Sequence, residues 1–258
     1  LTPQEIFFYR FLIAYIGIWA ISPKHLFADN LKDELWLVAG GVFGGSLYFF
    51  TENTALGITQ ASNVAFIICT APLLTTILSL LFYKSEKATK GLIYGSLLAL
   101  IGVGLVVFNG SVVLKLSPVG DLLTLLAALS WAFYSLVIKR MTGRYPTVFI
   151  TRKIFFYGVL TILPAFLLHP LQPDFDVLLQ PLVLSNLLFL AVLASLICYI
   201  LWNVVLKQLG TMRASNYIYL NPLVTMVASV LILHEQITWI TLMGAACIIL
   251  GVYLAEKK

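Results

Sequence analysis

Apolar residues run along the chain in long blocks separated by short polar gaps. Nine blocks reach or approach the roughly 20 residues that a helix needs to cross a bilayer. They are Pro3–Ser22, Leu35–Leu56, Ala61–Tyr83, Gly91–Phe108, Leu122–Ile138, Thr147–Leu168, Leu182–Leu206, Ala214–Leu233 and Thr238–Leu254. Strands of an outer-membrane barrel would alternate between lipid-facing and lumen-facing residues, and runs such as Leu97–Val107 do not alternate. The pattern therefore predicts an all-α membrane protein, a polytopic helix bundle. Composition agrees: 60% of the 258 residues are hydrophobic and 10% charged, against about 25% charged in a soluble domain.

The formal charge of +5 falls in the gaps rather than on one basic face, which argues against nucleic acid as a partner. It reports topology instead, because Lys and Arg collect in cytoplasmic connections. One side of the predicted bundle carries Lys24, Lys32, Lys84, Lys87, Lys90, Lys139, Arg140, Arg144, Lys207, Arg213, Lys257 and Lys258, and the other only Lys115. The C-terminus is then cytoplasmic and the first visible span enters from outside. A chain that starts outside, with Leu1 and no signal peptide, is expected to lack its first helix.

Internal repetition leads to the same expectation. Pro72, Glu86, Gly95 and Gly102 recur as Pro222, Glu235, Gly244 and Gly251, at an offset of 150 for the proline and 149 for the others. Asn53 to Leu56 matches Asn203 to Leu206, Ala61 to Asn63 resembles Ala214 to Asn216, and Pro3 with Arg10 matches Pro146 with Lys153. The reading is two repeats, 1–110 with four of five helices and 118–258 with five. An odd helix count inverts the second copy in the bilayer, as in many secondary transporters.

Two inverted five-helix repeats, each with a proline-containing span, a following Glu and a glycine-spaced last span, resemble the drug/metabolite transporter superfamily, in particular its EamA-type family. The chain departs from that pattern at Ser85 and His234, where a glycine commonly precedes the Glu. The resemblance implies export or exchange of small metabolites, often amino acids, by alternating access. Relatives carry sugar phosphates, nucleotide sugars or drugs, and a non-transporting structural subunit is the competing reading. The implied setting is the bacterial inner membrane. The implied partners are a small-molecule substrate and lipid, and a homodimer is compatible with the pattern.

Charges inside spans are costly and usually functional, which singles out Arg10, Glu52, Arg152 and Lys153. Arg10 lies seven residues in from Pro3 and Glu52 four from the outer end of its span, so the two can pair, or each can snorkel to the headgroups. Arg152 and Lys153 are expected to snorkel at the cytoplasmic side, with no acid to partner them. Trp202 and Asn203 stand where the first half has Glu52 and Asn53. Uncharged polar residues in spans complete the candidate substrate site: Asn63, Trp131, Tyr134, Asn216 and Tyr219, with Asn53, Trp202 and Asn203. Glu86 and Glu235 precede helices whose N-terminal dipole favours an acid, a structural role. Gly40, Gly41, Gly44 and Gly45 form small-xxx-small patterns suited to close packing. The three cysteines have no metal-ligand spacing, and His and Asp residues fall mainly in connections. No metal, cofactor or enzymatic centre is expected.

Overall fold

The computed structural model describes residues 1–23, 26–83, 87–108, 117–167, 170–171, 175–233 and 238–257. Glu86, Lys115, Asp174 and Glu235 lie outside them. The described residues are helical and contain no strand. In chain order the α-helices are α1 (Pro3–Ile21), α2 (Leu31–Gly41), α3 (Leu47–Ile58), α4 (Ala61–Ile68), α5 (Ala71–Phe82), α6 (Lys90–Phe108) and α7 (Pro118–Thr142). They continue as α8 (Thr147–Ile162), α9 (Phe175–Leu178), α10 (Pro181–Leu188), α11 (Cys198–Leu209), α12 (Thr211–Asn216), α13 (Asn221–Leu233) and α14 (Trp239–Glu256).

Seven helices among the described residues are long and apolar enough to cross a membrane. Two of the nine expected spans are not among them. Leu31–Ile58 is one continuous helix through α2 and α3, but its glycines and Glu52 dilute its hydropathy. The span around Pro222 is broken into α12, a 3₁₀ turn at Tyr217–Leu220 and α13. Proline explains both mid-span breaks, since it cannot continue the hydrogen-bond ladder but suits a first helical turn: Pro72 lies in the first turn of α5 and Pro222 in that of α13.

Local chemistry sets several helix starts. Thr2 and Glu5 form a reciprocal capping box before α1, Asn30 caps α2 by accepting from the Asp33 amide at 2.8 Å, and Thr238 caps α14. Two stretches depart from α geometry: Val42–Ser46, between α2 and α3, and Phe189–Ile197, between α10 and α11, are π-helical.

The chain forms two compact units, one of Leu1–Asn53 with Phe133–Gln208 and the other of Thr54–Ala132 with Leu209–Lys258. Each unit draws helices from both halves of the sequence. In the first, α1 packs on α8 and on the second π segment, while α2 and the first π segment pack on α8. Its centre is aromatic: Phe11 meets Phe155 edge-on at 5.0 Å and Tyr199 at 5.7 Å, and Phe7 lies 4.3 Å from Phe11. Gly41 and Gly45 allow this packing, for a Cβ on Gly41 would sit 2.5 Å from the Tyr157 Cβ and one on Gly45 3.2 Å from Phe11.

In the second unit the dominant contact is α6 against α14. The repeat glycines make it. A Cβ on Gly251 would lie 2.5 Å from the Ala99 nitrogen and the Gly95 carbonyl oxygen, and one on Gly102 2.6 Å from the Gly244 carbonyl oxygen. Gly95 thus meets Gly251 and Gly102 meets Gly244, so the two helices run antiparallel with their backbones in contact. Beside them Cys69, Ala99, Val103, Tyr219, Ile248 and Val252 form a buried cluster.

Candidate functional site

The first unit holds the charged residues that the sequence singled out. The Arg10 Nε donates to the Ser195 Oγ at 2.8 Å, and its guanidinium stands 4.6 Å from the centre of the Phe49 ring. Glu52, one α-helical turn beyond Tyr48, accepts from the Tyr48 hydroxyl at 2.9 Å. Arg10 and Glu52 interact through their fields, but each is held by a hydroxyl rather than by the other. Both are half-buried in largely apolar helices, where an uncompensated charge is costly.

Both π segments are tied into this region, each by residues from the other half of the sequence. Ser195 in the second takes its bond from Arg10. In the first, the Gly44 carbonyl accepts from the Tyr199 hydroxyl at 2.5 Å, and the Ser46 and Thr161 hydroxyls share a bond of 2.8 Å. Such wide turns frequently mark functional sites. Ser46 and Ser195 stand 149 residues apart, the offset of the glycine pairs.

A second polar chain runs nearby in the same unit. The Tyr134 hydroxyl donates to the Asn203 Oδ1 at 2.7 Å, the Asn203 Nδ2 donates to the Thr151 Oγ1 at 2.9 Å, and Thr151 donates to the Thr147 carbonyl at 2.9 Å. Tyr134, Asn203 and Thr151 are all buried, so each donor needs this acceptor. Asn53, the repeat mate of Asn203, instead helps line a small void with Phe7, Phe49 and Phe50. Trp202 is half-buried.

Arg152 and Lys153 correct an expectation. They do not reach for headgroups: both are buried, Lys153 pairs with Glu34, and Arg152 donates to the Ser22 carbonyl. Lys153 also donates to the Leu26 carbonyl at 3.1 Å, and Tyr157 bonds Glu34. Next to them Arg144 grips Asp33 at 2.8 and 3.0 Å, and the Tyr145 hydroxyl donates to Asp33 at 3.1 Å. Burial pushes the Asp33 carboxyl up, yet hydrogen bonds from Arg144, Asn30 and Tyr145 outweigh it and hold it below the usual carboxylate range. Burial acts on Glu34 in the same direction and is outweighed by Lys153, Tyr157 and the Ala28 amide. This network clamps the α1–α2 connection to α8. The sequence reading missed Glu34 because it lies just before its span, on a different helix from Lys153.

In the second unit, Asn63 and Asn216 are buried, as is Tyr219 within the apolar cluster. Asn216 accepts from the Ser96 hydroxyl at 2.8 Å and donates to the Met212 carbonyl at 3.2 Å. Ser79 and Thr211 share a bond of 3.0 Å. Trp131 is half-buried.

The EamA-like transporter family model matches residues 1–108 and 118–256. The chain belongs to that family. An uncharacterized transporter of Archaeoglobus fulgidus is 28% identical over all of this chain and 89% of its own length. A probable amino-acid metabolite efflux pump of Salmonella typhimurium is 27% identical over 90% of this chain and 80% of its own. A protein of known crystal structure shares the fold, with a TM-score of 0.80 over 99% of this chain and 88% of that one at 18% identity. This EamA-family chain is accordingly an integral membrane protein that transports small molecules.

Proposed function

We propose that this EamA-family protein is a secondary carrier of amino-acid-like metabolites, with Arg10 and Glu52 as the charged part of its substrate site. One observation carries the reading: two opposite charges lie within apolar spans of one unit, and each is bonded to a hydroxyl rather than to the other. Arg10 suits a carboxylate, which its planar fork binds through two parallel bonds, and Glu52 suits an ammonium. Hydroxyls of Ser195 and Tyr48 position the two charges. Tyr134, whose ring centre lies 6.0 Å from that of Tyr199, and its partner Asn203 are the uncharged part of the proposed site. The name of the Salmonella relative supports the substrate class.

The carrier works by alternating access between two inverted repeats, 1–110 and 118–258, in the bacterial cytoplasmic membrane with the C-terminus inside. Support comes from the antiparallel order of the glycine contacts, Gly95 with Gly251 and Gly102 with Gly244, which exchange under a twofold rotation. Export or exchange along existing gradients needs no nucleotide, and the sequence has no phosphate-binding loop.

The test is counterflow of labelled amino acids into proteoliposomes, with sugar phosphates and hydrophobic cations as competing substrates. Arg10→Gln and Glu52→Gln should each abolish amino-acid counterflow while the protein stays folded, because an amide still accepts from Tyr48. If Glu52 only offsets Arg10, then Glu52→Gln lowers the melting temperature and the double neutral variant restores it. Full counterflow in both single variants would overturn the site. Uptake of only sugar phosphates or cations would overturn the substrate class.

A further inference from the structure

The basic end of the second unit holds a site that the carrier reading does not use. A cavity of about 210 Å³ is lined by Lys87, Thr89, Leu92, Thr211, Arg213 and Ala255, among others. Its size falls short of the roughly 300 Å³ at which pockets for drug-sized ligands begin, but it accommodates a headgroup-sized anion. Lys87 is exposed and Arg213 half-buried. The first turn of α6 is adjacent, where Thr89 accepts from the Leu92 amide at 3.1 Å. Lys90 opens α6 and Lys257 follows α14, and these two helix ends meet: a Cβ on Gly91 would lie 2.7 Å from the Leu254 carbonyl oxygen. Four cations therefore collect at one end of the unit. The sole acid of α14, Glu256, interacts with Tyr217.

The chemistry is that of a membrane-surface anion site. Basic pockets between spanning helices at the cytoplasmic side suit phosphate headgroups. Leu92, Met212 and Ala255, a buried apolar cluster that lines the cavity, suit the first carbons of an acyl glycerol rather than bulk water. We propose that Lys87 and Arg213 hold a phosphate group in this cavity, the chemistry shared by an anionic phospholipid headgroup and free inorganic phosphate.

The experiment uses the full chain in nanodiscs of phosphatidylcholine with graded phosphatidylglycerol. Lipid retention is read by native mass spectrometry, and stability by thermal unfolding with and without millimolar inorganic phosphate. Lys87→Gln/Arg213→Gln should weaken phosphatidylglycerol retention roughly 30-fold, the loss expected of two direct ion pairs to the phosphate. A control of equal charge change away from the cavity, Lys32→Gln/Lys207→Gln, should not. Lys87→Gln alone, at an exposed position, should show part of the effect whether or not the double variant folds. Retention that free phosphate leaves intact identifies a lipid. A thermal shift from free phosphate that is lost in the variant, with no lipid retained, identifies a soluble ligand. Equal behaviour of the cavity and control variants in both arms would overturn the site.

Discussion

Adding one methyl group to the α6–α14 crossing should destabilise the protein, although alanine is the better helix former. At Gly251 the new carbon would stand 2.5 Å from the Ala99 nitrogen and from the Gly95 oxygen and 2.9 Å from the Ala99 Cα. All three are backbone atoms, which no rotamer change can move aside. Ordinary contact begins near 3.4 Å, so the helices must part by close to an ångström along their tightest line. Overpacking of this kind costs about 1–3 kcal/mol, against about 1 kcal/mol returned by helix propensity. Gly57→Ala isolates the propensity term, because nothing lies within 4 Å of a Cβ there. Gly251→Ala should therefore be less stable than Gly57→Ala by about 1–3 kcal/mol. Gly102→Ala should behave like Gly251→Ala, and the two together should cost less than their sum, since the first separation opens room for the second. The assay is detergent-solubilised unfolding followed by tryptophan fluorescence. A Gly251→Ala protein as stable as Gly57→Ala would refute the close crossing.

Tyr134→Phe leaves the buried Asn203 carbonyl oxygen without its donor and should cost about 1 kcal/mol, between the values for soluble interiors and for membrane helices; unfolding midpoints of Tyr134→Phe, Thr151→Val and the double variant would show whether the chain is coupled. Asp33 and Glu34 have lowered folded-state pKa values, so their contribution is present above the usual carboxylate range and is lost as pH falls through the lower folded values. The melting temperature should hold down to about pH 5 and drop below about pH 4, with Arg144→Gln lowering it at pH 7 and shrinking the drop, because the Asp33 carboxyl then loses its main charged partner; a flat profile to pH 3 in the unaltered protein would contradict the network. With native cysteines replaced, a cysteine at exposed Gln60 should label from outside and one at exposed Gly143 only from the cytoplasm, and the reverse would overturn the charge-based orientation.

The helical class was legible because the lipid-facing runs are long and their gaps short. Gly95, Gly102, Gly244 and Gly251 were legible as a pattern, and their contact gives the pattern its cause: two backbones touch only where side chains are absent. Arg10 and Glu52 stood out by charge, but their hydroxyl partners did not. Ser46 and Ser195 resemble any small residue in an apolar run, and only the shared offset could have drawn attention to them. Lys153 and Glu34 were misjudged because one-dimensional spacing brings together neighbours along a helix, whereas this pair is made between α2 and α8. The two packing units were also hidden, for a repeat in sequence describes copies and not which helices come to rest on one another.

The two wide turns have a geometric consequence for protein engineering. An α-helix advances 100° per residue, so a π segment shifts the azimuth of everything downstream relative to a regular helix. Tyr48 and Glu52 follow the first such segment, and Tyr199 and Asn203 follow the second. Deleting one residue within Val42–Ser46 would leave the helix length and apolar character almost unchanged, yet swing the face that carries Glu52 by about a quarter turn or more. Hydropathy would not register the change, and neither would a span count. A one-residue deletion there is thus a rotation rather than a shortening, and an alignment gap at either segment turns the face that carries Glu52 or Asn203.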